Sequence, residues 1–106
     1  MKQLTLAIKF TADDESREQF KQILTGLFNT ISAEQNFVNA TLSQDIQNPN
    51  EFLVYETWND TIEHFIKVQM KEPYAVAFEK TLDALNIKRE PAAYTPFGSF
   101  GTHAVN

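Results

Sequence analysis

The fold of this chain is decided by residues 52 to 85, which read FLVYETWNDTIEHFIKVQMKEPYAVAFEKTLDAL. The first seven residues predict a β-strand, because successive side chains of a strand point to opposite faces. One face would carry Phe52, Val54, Glu56 and Trp58, and the other Leu53, Tyr55 and Thr57. Since both sets are largely apolar or aromatic, we expect both faces of this strand to be covered.

Two helix starts follow the strand. Asp60, with Glu63 three residues later, is typical of an N-cap and its capping-box partner, and predicts a helix over residues 61–68. Pro73 fits the first position of a second helix. The inward stripe of that helix would be Tyr74, Ala77, Phe78, Thr81, Leu82 and Leu85. A strand that ends in Trp58 and leads directly into a helix predicts the rim of a pocket.

The sequence before this region predicts two more strands and one more helix. Alternating apolar residues indicate strands over residues 4–10 and 37–46. A stripe of apolar residues at three- and four-residue steps indicates a helix over residues 20–31. Asn48-Pro49-Asn50 has the composition of a turn, so the second and third strands should form a hairpin.

A last strand is predicted over residues 87–97, and Pro91 and Pro96 place it at a sheet edge because proline has no N–H to donate. The resulting order, βαββαβ, is an α+β ferredoxin-like fold: a four-stranded antiparallel sheet with its helices on one face. Right-handed crossovers would put strands one and three in its centre. We expect one domain over residues 1–97 and a tail over residues 98–106, which contains His103. The sheet face without helices would be covered by a second subunit, which predicts a homodimer.

Composition excludes several classes of function. The chain has 106 residues, a net charge of −5 and no cysteine. An acidic chain is unsuited to nucleic acid, whose binding depends on Lys and Arg, and disulfides, zinc-thiolate sites and iron–sulfur clusters are ruled out. No segment resembles a signal peptide or a membrane span, no metal-ligand pattern is present, and no glycine-rich phosphate loop occurs. We therefore expect a soluble cytoplasmic protein without metal, cofactor, membrane or nucleic-acid partners.

Three segments carry a recognisable pattern. They are the strand end Tyr55-Glu56-Thr57-Trp58, the helix start at Asp60, and the helix start Glu72-Pro73-Tyr74 with Phe78 beyond it. This pattern resembles the antibiotic biosynthesis monooxygenase family of small dimeric α/β-barrel proteins. Many members carry a histidine on the first of these helices and another beside the proline. In this sequence Gln69 and Tyr74 occupy the best-matching positions.

The resemblance implies a cofactor-independent monooxygenase that oxidises a small aromatic, quinol-like or polyketide-like substrate with O2. The candidate catalytic residues are Trp58, His64 and Tyr74, and the candidate substrate-binding residues are Tyr55, Glu56, Gln69 and Phe78. Trp58 could form an aromatic wall and donate its indole N–H to a substrate oxygen, or it could only pack in the core. Glu56 could be a desolvated base, or it could pair with Lys9 or Arg89. His64 could be a base or haem ligand, or a surface residue.

Two other functions remain open on the sequence. A haem-handling relative within the same superfamily would need a histidine on the last helix, where this chain has Phe78. The second alternative is a non-catalytic dimeric module with a binding or stress-associated role. It would use the same pocket to hold a small molecule without converting it.

Overall fold

Four strands and three helices follow one another in the predicted order in a computed structural model that describes residues 2–101. The elements are β1 (Leu4–Thr11), α1 (Arg17–Ile31), β2 (Phe37–Gln44), β3 (Glu51–Trp58), α2 (Ile62–Lys67), a 3₁₀ turn (Gln69–Lys71), α3 (Pro73–Ala84) and β4 (Lys88–Tyr94). The strands form one antiparallel sheet in the order β2-β3-β1-β4. The predicted α+β ferredoxin-like fold is therefore confirmed, including the central positions of β1 and β3.

The register of β1 against β3 positions the residues that matter for the interior. Leu4 lies opposite Trp58, Leu6 opposite Glu56, and Phe10 opposite Phe52. All of these side chains project to the sheet face on which the helices pack, because they are separated by two or four residues along their strands. On the other side of β1, the edge strand β4 contains Pro91, as predicted from its missing N–H. The predicted end of this strand at residue 97 is wrong by three residues, because β4 ends at Tyr94 and Pro96 lies outside it.

A β-bulge at the start of β2 differs from the predicted alternation. Phe37 lies opposite Trp58 and Asn39 lies opposite Thr57, so Val38 is the extra residue. An inserted residue shifts every later side chain to the other phase. The bulge therefore places Phe37, and not Val38, on the helix-covered face beside Trp58.

The predicted cap of α2 is wrong by one residue. The N-cap is Thr61, whose hydroxyl accepts the backbone N–H of His64 at 3.2 Å. Asp60 instead accepts the N–H of Thr61 through Oδ1 and the side-chain amide of Asn36 through Oδ2. The carboxylate is thus used between two elements, which the local capping pattern does not reveal. The second helix, α3, does begin at Pro73 as predicted.

The core is a cluster of phenylalanines between the sheet and the helices. Phe20 of α1 is fully buried and meets Phe10 and Phe52 edge to face at centroid distances of 5.2 and 5.5 Å. Phe78 of α3 packs against Phe10 and Phe20 from the other side. Aromatic edges and faces attract each other in such arrangements, and large buried rings supply most of the hydrophobic stabilisation.

The opposite sheet face carries no helix within the described part of the chain. Leu53 and Tyr55 of β3 are 45% and 51% exposed on this face. The expectation that both faces of β3 are covered is therefore wrong for a single protomer. The predicted homodimer is not tested by one protomer and stays a prediction.

Residues 95–101 follow β4 outside any helix or strand, and Phe97 and Phe100 are almost fully exposed there. The predicted boundary between residues 97 and 98 stays a prediction, and His103 lies outside the described residues. Among residues 2–101, no helix has the length and apolar character needed to cross a bilayer.

Truncation of Phe20 should show how much of the stability rests on the phenylalanine cluster. We expect Phe20→Ala to lower the free energy of unfolding by about 3–5 kcal/mol, because it removes a fully buried ring and leaves a cavity. Urea denaturation followed by the fluorescence of the single tryptophan would measure this. Ile46→Ala is the control, since Ile46 is fully exposed and its truncation should change stability by less than about 0.5 kcal/mol. Equal effects of both substitutions would contradict this view of the core.

Candidate active site

A cavity of about 360 Å³ lies between the helix-covered sheet face and the helices. Its lining is mostly apolar and includes Leu6, Ile8, Val54, Leu24, Phe28, Ile62, Phe65, Ile66 and Met70. A hollow of this size with few polar groups is the usual form of a small-molecule site.

The polar groups of the cavity fall into two sets. Glu56, Gln69 and Tyr74 form one set, and the ion pair between Glu79 and Arg89 forms the other. On β1, Leu6 lies opposite Glu56, and Phe10, four residues further, lies opposite Arg89. Since a strand rises by about 3.3 Å per residue, the two sets lie roughly 13 Å apart. The cavity thus has two polar ends joined by an apolar middle.

Trp58 lies at the first of these ends and is both a core residue and a cavity wall. It is 1% exposed and is held edge to face between Phe37 and Phe65, each with a centroid distance of 5.2 Å. Its indole Nε1–H donates to Oε1 of Glu56 at 2.6 Å. The indole N–H is therefore directed at Glu56 and not into the cavity, which changes the donor role expected from the sequence.

Glu56 is a buried carboxyl without a cationic partner among the described contacts. The alternative ion pairs are wrong: Lys9 contacts Glu51 at 3.0 Å, and Arg89 contacts Glu79. Burial raises the pKa of Glu56 to about 7, and the hydrogen bond from Trp58 opposes this rise only in part. A carboxyl with a pKa near neutrality, at the wall of an apolar cavity, has the property required of a general acid or base.

Tyr74 and Gln69 complete this end of the cavity. The Tyr74 hydroxyl lies 2.7 Å from Oε2 of Glu34 and 3.0 Å from Oε1 of Gln69. Burial, followed by the hydrogen bond and charge of Glu34, raises the pKa of Tyr74 well above its usual range. Nε2 of Gln69 donates to Oδ1 of Asn36 at 3.2 Å. Glu34 and Asn36 were not predicted, because both belong to the connection between α1 and β2, which has no motif of its own.

Two predicted site residues lie elsewhere. His64 does not line the cavity: its side chain is 56% exposed, and Nδ1 lies 2.8 Å from Oδ1 of Asp60. Its neighbours Ile62, Phe65 and Ile66 line the cavity, so His64 lies on the outward side of α2. Tyr55 lies on the sheet face without helices, because it is one residue out of phase with Glu56.

The structure therefore brings together five of the seven predicted residues: Glu56, Trp58, Gln69, Tyr74 and Phe78. Phe78 lines the cavity at the point where a haem-handling relative would need histidine. Within residues 2–101, no three histidine or acidic side chains lie close enough to hold a metal ion.

Replacing Glu56 with Gln should change how stability depends on pH. The pKa of Glu56 is higher in the folded protein than in the unfolded chain, so the folded state holds the proton more tightly. This tighter binding stabilises the folded state at low pH, and the stabilisation is lost as the pH rises through about 7. The loss between about pH 5 and pH 8 is about 2.5 kcal/mol.

We therefore expect the free energy of unfolding of Glu56→Gln, relative to wild type, to increase by that amount over the same range. Denaturation series at several pH values would measure the difference, with Glu18→Gln, an exposed position on α1, as the control. A difference that does not change with pH would show that Glu56 titrates normally.

Comparison with known proteins gives matches in sequence and in fold. The family model for antibiotic biosynthesis monooxygenases matches residues 4–80. A protein of Pestalotiopsis microspora named as a presumed monooxygenase is 24% identical over 85 residues, which are 80% of this chain and 71% of that protein.

Solved structures show the same fold at low sequence identity. A presumed antibiotic biosynthesis monooxygenase from Deinococcus radiodurans superposes with a TM-score of 0.82 at 18% identity, over 92% of this chain and 96% of its own. SnoaB, a cofactor-independent oxygenase from Streptomyces nogalater, superposes with a TM-score of 0.79 at 18% identity, over 93% and 97% of the two chains. These likenesses establish the fold alone, whereas the family model covers most of the chain. The chain therefore belongs to the antibiotic biosynthesis monooxygenase family.

Proposed function

We propose that this protein is a cofactor-independent monooxygenase that oxidises a small aromatic, quinol-like or polyketide-like substrate with O2 in the cavity beside Trp58. The observation that carries the proposal is the buried carboxyl of Glu56, whose pKa of about 7 lets it accept a proton at neutral pH. Membership of the family and the likeness in fold to a cofactor-independent oxygenase support the same reaction class.

The reaction needs a proton acceptor and a dry site. Glu56 takes a proton from the substrate, and the resulting carbanion-like anion transfers electrons to O2 to form a carbon-bound peroxide. The peroxide takes this proton back from Glu56, and cleavage of the O–O bond with loss of water then leaves a carbonyl. For an anthrone, whose reacting carbon is a CH2 group, CH2 and O2 thus give C=O and H2O. One oxygen atom enters the product and the other leaves as water, and the substrate supplies all the electrons.

The chain contributes position and environment to this reaction. The indole N–H of Trp58 holds Oε1 of Glu56 at 2.6 Å, so the carboxyl has one fixed orientation. The Trp58 ring and Phe78 offer flat apolar surfaces to an aromatic substrate. The apolar lining excludes water, which keeps a reactive anion from being protonated before it meets O2.

We also propose a homodimer built on the sheet face without helices. Leu53, Tyr55 and Tyr94 are each about half exposed on this face, although they are large and apolar or aromatic. Large apolar or aromatic side chains exposed on the same face are typical of a protein interface. A second copy, packed sheet to sheet, would cover it, and Tyr55 would then act at the interface and not in the cavity. The cytoplasmic location expected from the sequence stays a prediction.

Oxygen consumption is the direct test of the reaction. With a panel of anthrones and hydroquinones, we expect enzyme-dependent O2 uptake whose rate rises with pH and levels off above about pH 7, because the carboxyl of Glu56 must be ionised to act. Glu56→Gln should lower kcat at least about a hundredfold, whereas Glu18→Gln should not change it. O2 uptake that does not exceed the buffer rate with any of these compounds would contradict the proposal. A bound compound recovered unchanged after aerobic incubation would favour the non-catalytic binding function.

The dimer can be tested by placing a charge on the proposed interface. Sedimentation velocity of the wild type should show a dimer, and Tyr55→Glu should shift it to a monomer, because an unpaired carboxylate would be buried between the sheets. Ile46→Glu is a matched control at a fully exposed position outside that face. A wild-type monomer, or a Tyr55→Glu dimer of unchanged affinity, would contradict the proposed interface.

A further inference from the structure

A line of hydrogen bonds runs from the cavity to the surface through residues that the proposed reaction does not use. From the cavity outward, Tyr74 contacts Gln69 at 3.0 Å, Gln69 contacts Asn36 at 3.2 Å, and Asn36 contacts Asp60 at 3.1 Å. The side chain of Asp60 is 5% exposed, and its other oxygen is 2.8 Å both from the backbone N–H of Thr61 and from the ring of His64. We call Asp60, Asn36, Gln69 and Tyr74 the polar chain.

The direction of the polar chain is set at Asp60. A carboxylate can only accept hydrogen bonds, so Asn36 has to present its NH2 group to Oδ2 of Asp60. The Asn36 carbonyl then faces Gln69, which in turn has to present its own NH2 group. The orientation of each amide thus determines the orientation of the next one, and as a result the Gln69 carbonyl oxygen faces the hydroxyl of Tyr74.

The cavity end of the polar chain has more acceptors than donors. Tyr74 has one hydroxyl proton, but it lies within hydrogen-bond distance of two acceptors, Oε2 of Glu34 and Oε1 of Gln69. Glu34 is the nearer of the two at 2.7 Å, and hydrogen bonds to a carboxylate are the stronger kind. Three oxygens therefore share one proton, and two of them belong to Gln69 and Tyr74, which line the cavity.

This arrangement makes Tyr74 an acceptor toward a ligand. Its proton is used by Glu34 or Gln69, and loss of the proton is disfavoured because burial and Glu34 raise the pKa of Tyr74. A ligand hydroxyl that reaches this end supplies the missing donor. A ligand with only an ether or carbonyl oxygen there would meet further acceptors, and an unpaired buried polar group is costly.

We propose that Asp60 and Asn36 are positioning residues that orient the polar chain so that its cavity end accepts hydrogen bonds. They thereby select ligands that carry a hydroxyl or another hydrogen-bond donor at that end. The identification of such a ligand as the substrate rests on the proposed monooxygenase function. The inference narrows the possible substrates to phenolic or enolic compounds that are bound through a free O–H. The binding preference itself does not depend on turnover.

The test compares two ligands that differ only in the donor, 2-naphthol and 2-methoxynaphthalene. Dissociation constants would be measured by titration calorimetry on the full chain, and the 15N-resolved indole resonance of the single tryptophan would report binding beside Trp58. We expect the wild type to bind the naphthol at least about tenfold more tightly, which corresponds to about 1.4 kcal/mol.

Two isosteric variants should remove this preference through different ends of the polar chain. In Asp60→Asn the new NH2 group can face Asn36, so both amides reverse and Gln69 donates to Tyr74. In Glu34→Gln the new NH2 group donates to Tyr74 directly. Either change supplies the missing donor from the protein, and the ratio of the two dissociation constants should fall below about threefold.

Asp83→Asn, an exposed carboxylate of α3 that has no part in the polar chain, should keep the wild-type ratio. Asp60→Asn changes the residue just before α2 and could fold poorly for that reason. Glu34 lies outside this region, so Glu34→Gln then still tests the inference. Equal binding of the two ligands by the wild type, no binding of either, or a tenfold preference retained in both variants would overturn the inference. A tenfold preference for the naphthol in the wild type that falls in both variants, but without any O2 uptake, would overturn only the monooxygenase proposal.

Discussion

The structure of the site depends on one hydrogen bond, from the indole N–H of Trp58 to the carboxyl of Glu56, inside an apolar interior. Both residues lie on one face of β3 because they are two positions apart. Phe37 and Phe65 hold the indole ring from two sides, so the ring cannot turn its N–H elsewhere. A single neutral donor compensates only part of the lost solvation of a carboxylate, and the carboxyl therefore keeps its proton to a higher pH than it would in water.

Most of the fold follows from local patterns in the sequence. The alternation of residues 4–10, 37–46 and 52–58, the apolar stripe of residues 20–31 and the helix start at Pro73 predict most of the element order, and Pro91 predicts the edge position of β4. These features depend on strand pleating, backbone donors and proline geometry, which act over a few residues. The bulge at Val38 and the use of Asp60 between two elements are different, because no local pattern in the sequence indicates either of them.

The candidate site was only partly predictable for the same reason. Glu56, Trp58 and Phe78 were found because their positions on a strand and a helix determine which way they face. Glu34 and Asn36 lie before β2, and only the folded chain brings them to Gln69 and Tyr74, 33 to 40 residues away. Histidine is a common acid or base in enzymes, but residue type contains no information about which side of α2 His64 occupies.

Pro91 has a consequence for how copies of this protein can meet. An open sheet has two outer strands whose unpaired backbone groups can recruit strands from other molecules. Here β4 has one backbone donor fewer at Pro91 and carries Lys88 and Glu90, and β2 is distorted by its bulge at Val38. Both edge strands therefore disfavour the addition of strands from other molecules, and with it the growth of fibres, even though the chain is rich in phenylalanine.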